Sequence, residues 1–226
     1  LTWSLAVEEW FYFLFPLLLL AFVGFGTSAR RGVLFAILGF IVLPFIARIF
    51  VSEQISGAIH FDEGVRHIVI YRLDAIGFGV AMAYLYCLHR PIFEKIGTLW
   101  YLFVIPLVLV IAMPKMGYPY FAHNALGLSI YLTVSGAVFA GVIPFFNNMR
   151  VSRTTLVTRF ILLTSKLSYS MYLGHIIAFI FAIRLLKWVG LYEAIYPNPW
   201  ITYPLFTLAT FALAAGTYHL VERPFL

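Results

Sequence analysis

The sequence contains little charge. Charged residues make up 11% of the 226-residue chain and apolar residues 63%, with a mean hydropathy of +0.96. A soluble domain usually carries about 25% charged residues, so this composition excludes an ordinary soluble domain and indicates a membrane protein. Cysteine is also scarce. Cys87 is the single cysteine, which excludes a scaffold held by intrachain disulfides.

Three further patterns are missing from the sequence. Internal repeats are not apparent, which argues against the inverted repeats of many transporters. No second His, Cys or carboxylate stands at metal-ligand spacing, so we expect no metal site. No basic stripe with interleaved aromatic residues stands in a soluble segment, so we expect no binding to nucleic acid.

Long apolar runs recur along the whole chain. A helix needs about 20 apolar residues to cross a bilayer, and backbone groups in lipid must be satisfied within the segment. We therefore predict an all-α, polytopic transmembrane helical bundle of about seven helices, with a short fourth helix, in one domain over residues 1–226. The predicted spans are residues 9–26, 33–50, 68–89, 99–113, 125–146, 167–188 and 201–218.

Basic residues are concentrated in alternate connections between these spans. The connections at residues 25–32, 90–98, 147–166 and 219–226 hold most of the arginines and lysines outside the spans. Cytoplasmic loops of membrane proteins carry such an excess, so we place these connections in the cytoplasm. Residues 3–9 then lie at the outer face, and the lipid bilayer is the first expected partner.

Two glutamates stand at the mouth of the first span, in LTWSLAVEEWFYFLFP. Ser4, Glu8 and Tyr12 are four residues apart and would share one face of a helix. Charge near a hydrocarbon core is costly and rarely without use, so Glu8 is a candidate proton acceptor or partner for an arginine. Alternatively, Glu8 and Glu9 anchor a helix N-terminus at headgroup level, where negative charge is favourable.

Opposite charges open the third span, in YRLDAIGFG at residues 71–79. Arg72 and Asp74 are two residues apart and point to opposite sides of a helix, so they cannot simply pair with each other. Each then needs its own partner, and Glu8 is a candidate partner for Arg72. A buried pair of this kind can also serve packing alone, with a small net contribution to stability.

Two more polar blocks follow. In SYSMYLGH, Ser168, Tyr172 and His175 fall on one helical stripe. A histidine among apolar residues is more often a core donor than a catalyst, although a neutral imidazole there could hydrogen-bond a thioester or orient a tyrosine hydroxyl. In YHLVERP, His219 and Glu222 are three residues apart and share a helix face. This pair is either functional or simply marks a helix end that meets water.

These four blocks resemble, in order, four motifs of the membrane acyltransferase-3 family. The first resembles W-S-L-x-V-E-E-x-F-Y-x-x-F-P, and residues 71–79 resemble R-x-D-A-x-x-x-G. Residues 168–175 resemble S-Y-x-x-Y-L-x-H, and residues 221–224 resemble V-E-x-P. The resemblance covers nearly the whole chain.

The resemblance implies an integral-membrane O-acyltransferase in a bacterial-type plasma membrane. Such enzymes move an acyl group, commonly acetyl, from a cytoplasmic acyl-CoA to a hydroxyl of a cell-surface or exported carbohydrate such as lipopolysaccharide. On this basis the candidate catalytic residues are Glu8, Arg72, Asp74 and His175. The candidate substrate-binding residues are Trp3, Ser4, Tyr12, Ser168, Tyr172 and Glu222.

One inner connection is rich in arginine. Arginine suits the recognition of phosphate, so Arg150 and Arg153 are candidate ligands for the phosphates of the acyl-CoA donor. The positive-inside topology accounts for both residues equally well without a ligand.

The sequence departs from the family at one end. The family's N-terminal helices, with an arginine and a histidine thought to act on the acyl group, have no counterpart here. We therefore expect the chain to be the C-terminal part of such an enzyme, inactive by itself. The alternatives are a multipass transporter or channel, with Arg72, Asp74 and His175 along a solute path, and a degenerate relative with a scaffolding role.

Overall fold

The computed structural model describes residues 3–52, 64–65, 67–116, 125–149 and 155–225, which are almost entirely helical and contain no strand. They belong to two compact units, Leu1–Met149 and Arg150–Leu226. The predicted all-α fold class is confirmed, whereas the assignment of the whole chain to one domain stays a prediction.

The described part of the first unit contains six α-helices. A 3₁₀ turn, Val69–Tyr71, precedes the third of them. The helices are α1 (Trp3–Gly24), α2 (Ala29–Ser52), α3 (Leu73–Leu88), α4 (Arg90–Thr98), α5 (Tyr101–Met116) and α6 (Ala125–Asn148).

The described part of the second unit is built on a long helical hairpin. Thr155 caps its first helix by accepting a hydrogen bond from the backbone N–H of Thr158, and Asn198 caps its last helix in the same way. Gly190, at a φ of +74°, provides the left-handed turn after the first helix. The elements are α7 (Leu156–Trp188), α8 (Tyr192–Ile195), α9 (Pro199–Thr217), a π-helical turn (Tyr218–Glu222) and a 3₁₀ turn (Arg223–Phe225).

All seven predicted apolar runs overlap helices, and two of them show the largest differences. Helix α7 begins at Leu156, eleven residues before the predicted start at residue 167. The third predicted run ends in a sharp break, because α3 and α4 meet at an angle of 118° around His89.

Five helices are long and apolar enough to cross a membrane, and the bent α3–α4 pair could form a sixth span. Helix α5 is apolar but shorter, as predicted for the fourth span. Large apolar side chains lie exposed along these helices, including Phe13 and Leu20 on α1. Such exposure suits lipid, whereas contiguous apolar surface is rare on soluble monomers. These features indicate a multipass membrane protein.

Helix α6 organises the first unit by packing against α2, α3, α4 and α5. On the other side of α2 and α3, helix α1 buries Val7 and Phe11 against Phe40 of α2 and Leu73 of α3. The aromatic rings of Phe11 and Phe40 meet edge to face, with their centroids 5.1 Å apart. The start of α3 is therefore enclosed by α1, α2 and α6.

Helix α4 reaches α6 through a glycine. A Cβ atom built on Gly97 would lie 3.0 Å from the carbonyl oxygen of Pro144 and 2.9 Å from Nδ2 of Asn148. The backbone of Pro144 cannot give way as a flexible side chain would. A residue without a Cβ is therefore required where α4 meets α6.

We expect Gly97→Ala to destabilise the protein although alanine favours helices. Overpacking costs about 1–3 kcal/mol, more than the gain of about 1 kcal/mol in helix propensity. Gly39→Ala on α2 is the matched control, because a Cβ there meets nothing within 4 Å. Reversible unfolding by denaturing detergent measures the stability of both variants. Equal stability of the two variants would contradict the close approach of α4 and α6.

Candidate functional site

A buried ion pair lies at the start of α3. Nη2 of Arg48, from α2, lies 2.5 Å from Oδ2 of Asp74, and their side chains are 0% and 2% exposed. Nη1 of Arg48 donates a hydrogen bond to the backbone carbonyl of Tyr71. Arg48 therefore binds both the first turn of α3 and the 3₁₀ turn before it.

Helix α6 completes this cluster with Thr133. The Thr133 hydroxyl accepts a hydrogen bond from Nη2 of Arg48 and lies 3.1 Å from Oδ2 of Asp74, to which it donates. Oδ1 of Asp74 accepts a hydrogen bond from the backbone N–H of Ala75, at 3.0 Å. We call Arg48, Asp74 and Thr133 the three-helix polar cluster.

Desolvating two charges costs several kcal/mol per ion, and only close pairing with further hydrogen bonds offsets this cost. The three-helix polar cluster provides Asp74 with a close ionic partner and with further hydrogen bonds, so that both of its carboxylate oxygens are engaged. Losing one partner would leave the other charge buried and unpaired. The cluster therefore restricts how α2, α3 and α6 can pack together.

Arg72 lies beside this cluster and lines a groove of about 280 Å³ between α3 and α6. The neighbouring walls are small residues, among them Ala75, Gly79 and Gly136, and Ser135 adds a hydroxyl. Arg72 is thus a candidate site residue that faces a groove. The groove offers one cation and otherwise mostly apolar surface.

The predicted partner of Arg72 is not observed, because the described residues contain no ion pair between Glu8 and Arg72. Glu8 is exposed on α1. The expectation that Arg72 and Asp74 do not pair with each other agrees with the structure, in which Asp74 binds Arg48. Sequence reasoning missed Arg48, although it is the single charged residue within the predicted span at residues 33–50.

The polar face predicted for α1 lies away from its buried face. Val7 and Phe11 are buried, whereas Glu8 and Tyr12 are exposed and Ser4 is half-buried. Helix α1 therefore does not bring Glu8 or Tyr12 to the three-helix polar cluster. Trp3 begins α1, and its side chain lies outside the described part of the structure.

In the second unit, Ser170 of α7 donates a hydrogen bond to Oε1 of Glu222 in the π-helical turn. Ser170 is buried and Glu222 is half-buried. This bond ties the middle of α7 to the turn that follows α9. The sequence pointed to Ser168 instead, but Ser168 is exposed and donates to the carbonyl of Ser165 on its own helix.

The stripe of Ser168, Tyr172 and His175 is present on α7, and all three side chains are exposed. Nδ1 of His175 lies 2.5 Å from the backbone carbonyl of Tyr172, and the two rings have centroids 5.9 Å apart. His175 is therefore held by its own helix, with its second ring nitrogen pointing away from that bond. Among the bonds of the described residues, the Glu222 carboxylate binds Ser170, which lies outside this stripe.

The proposed coenzyme A ligands, Arg150 and Arg153, lie outside the described residues. The expectation of no metal site likewise stays a prediction.

Comparison of the chain with family models, with curated proteins and with solved structures gives no match. The resemblance to the acyltransferase-3 family therefore rests on the four motif blocks of the sequence.

We expect Thr133→Val to destabilise the protein by about 1–2 kcal/mol. The change keeps the shape of the side chain but removes a hydroxyl that is hydrogen-bonded to two buried charges. Hydrogen bonds to charged groups contribute more free energy than the average polar contact between membrane helices. Ser135→Ala is the control, because that hydroxyl donates to the carbonyl of Leu132 in its own helix. Detergent unfolding at equilibrium provides the comparison. A Thr133→Val effect no larger than that of Ser135→Ala would argue against the cluster.

The second unit gives a parallel test. Ser170→Ala removes the donor to the Glu222 carboxylate, so we expect a loss of about 1–2 kcal/mol in unfolding free energy. Ser168→Ala, two residues away on the exposed side of the same helix, should have little effect. The opposite ranking would mean that Ser168, and not Ser170, makes the stabilising bond across the hairpin.

Proposed function

We propose that the protein is a membrane-embedded O-acyltransferase that moves an acyl group, commonly acetyl, from acyl-CoA to a hydroxyl of a cell-surface or exported carbohydrate. One observation carries this proposal. One acidic residue from each of two motif blocks, Asp74 and Glu222, makes a specific hydrogen bond within a mostly apolar helical unit. Ionisable groups inside membrane segments are costly and are rarely retained without a function.

Arg72 is the proposed electrostatic catalyst. In acyl transfer, the hydroxyl oxygen attacks the thioester carbon, negative charge collects on the carbonyl oxygen, and the C–S bond then breaks to release the thiol. A fixed cation stabilises that developing charge most strongly where water is scarce. The Arg72 groove, with its mostly apolar wall, provides such an environment.

Asp74 has a different role in this proposal. Its carboxylate is buried and engaged by Arg48, Thr133 and the backbone of Ala75, so it has no access to a substrate proton. We assign Asp74 as a positioning residue, which with Arg48 fixes the start of α3 and the neighbouring Arg72.

The acceptor hydroxyl must lose a proton to a base within hydrogen-bond reach. On the resemblance alone, the motif blocks supply Glu8, His175 and Glu222 as proposed bases. Glu222 already holds one hydrogen bond, from Ser170, which would orient its carboxylate. Arg150 and Arg153 remain proposed ligands for the donor phosphates on the cytoplasmic side.

A transporter is the second candidate, because a charged residue beside a membrane groove also suits solute passage. The wall of the Arg72 groove argues against it, since apart from Arg72 and the Ser135 hydroxyl it offers mostly apolar surface to a hydrophilic solute. An acyl chain with a polar thioester matches that wall better.

Replacing Arg72 should abolish acylation in cells. Arg72→Gln, introduced at the chromosomal gene so that the protein is tested as the cell makes it, should lower ester-linked acyl groups in the envelope carbohydrate at least about 100-fold, as expected for loss of one oxyanion-stabilising group. Ester groups are measured after mild alkaline release.

Glu94→Gln is the control, because Glu94 is exposed and pairs with Arg90 on the surface of α4. The protein level in the membrane is measured for both variants. Unchanged acyl content in the Arg72→Gln strain, or acyl-CoA-independent solute flux in sealed vesicles, would contradict the acyltransferase proposal.

A further inference from the structure

A second groove, of about 400 Å³, lies among α1, α2 and α3 at the end of the first unit opposite Arg72. Phe15 of α1 forms one wall, Val33 of α2 the second, and Ala83 and Cys87 of α3 the third. The groove lies between the start of α2 and the end of α3. Charge patterning predicts that both of these helix ends are cytoplasmic.

One charged residue lines this groove, Arg30 in the first turn of α2. The wall itself is apolar, so the Arg30 guanidinium is not part of that wall. Arg30 is exposed. The groove thus presents a hydrocarbon surface that ends in a cation.

We propose that this groove binds an anionic phospholipid of the cytoplasmic leaflet, with an acyl chain along the apolar wall and the phosphate at the Arg30 guanidinium. Guanidinium groups bind phosphate through paired hydrogen bonds, and basic pockets between membrane helices on the cytoplasmic side suit anionic headgroups. The proposal is independent of acyl transfer, because the Arg72 groove takes no part in it.

A third groove shows why the cation matters. It lies beside Gly39, between α1, α2 and α3, has a volume of about 130 Å³ and is lined by apolar residues alone. That groove could hold any hydrocarbon chain, but it has no charged group that would distinguish one lipid headgroup from another. Of these two grooves among α1, α2 and α3, the one lined by Arg30 can therefore select for a negative headgroup.

Cys87 makes the proposal testable without introducing a new cysteine. It is exposed, lines the Arg30 groove and is the single cysteine of the chain. Its alkylation by N-ethylmaleimide in neutral detergent micelles, followed by intact mass spectrometry, reports whether the groove is occupied. Phosphatidylglycerol and phosphatidylcholine with identical acyl chains are compared at equal mole fraction.

We expect phosphatidylglycerol to slow alkylation of Cys87 about fivefold more than phosphatidylcholine, as the attraction of one arginine to an anionic lipid surface would give. Arg30→Gln should remove this preference and Arg30→Lys should keep most of it. Arg31→Gln is the matched control, because Arg31 carries the same charge one residue along α2 but does not line the groove.

Three results would overturn the proposal. Equal protection by both lipids would mean that the groove does not select for charge. If Arg30→Gln and Arg31→Gln reduced the preference for phosphatidylglycerol equally, the lipid would be attracted to the basic end of the unit in general and not to the groove. Absence of protection by either lipid would mean that the groove is not a lipid site. Acylation of envelope carbohydrate is not measured here, so failure of the acyltransferase proposal would leave this result unaffected.

Discussion

The burial of the Arg48 guanidinium beside the Asp74 carboxylate constrains how three helices of the first unit pack together. A charge transferred into an apolar bundle is tolerated when the fold supplies an opposite charge and further hydrogen bonds. Here the partner comes from α3, a hydroxyl comes from α6, and a carbonyl comes from the turn before α3. The packing of α2, α3 and α6 is therefore fixed by electrostatics as well as by apolar contact.

This constraint connects the fold to the proposed chemistry. Arg72 lies two residues before Asp74 and lines the groove between α3 and α6, so whatever fixes the start of α3 also fixes Arg72. A catalytic cation must be held in place before the reaction begins, because reorienting it during the reaction would cost part of its benefit. The second unit follows the same rule on a smaller scale, with Ser170 holding the carboxylate of Glu222.

Hydropathy predicted the helices well because lipid imposes one solution on every apolar run of sufficient length. It failed at the start of α7, where Arg159 and Lys166 lower the hydropathy of a segment that is nevertheless helical. The cap at Thr155 was the local signal for that start. The 118° break at His89 had a local signal too, in Pro91 just beyond it.

The partners of the polar residues were harder to predict. Which residue of α2 meets Asp74 depends on how two helices rotate and slide against each other, and a single sequence does not specify this. Arg48 could have been suspected as an isolated charge within an apolar run, whereas its contact with Thr133, 85 residues away, depends on tertiary packing. Ser170 was passed over in favour of Ser168 because motif resemblance does not show which face of α7 is buried.

A double-mutant cycle on Arg48 and Asp74 tests the central interaction most directly. Arg48→Met, Asp74→Asn and the double variant are unfolded reversibly in mixed micelles. We expect each single variant to lose about 3–5 kcal/mol and the double variant to lose clearly less than the sum, with a coupling energy of about 2–3 kcal/mol. Additive losses, with no coupling between positions 48 and 74, would contradict the buried ion pair and the packing that depends on it.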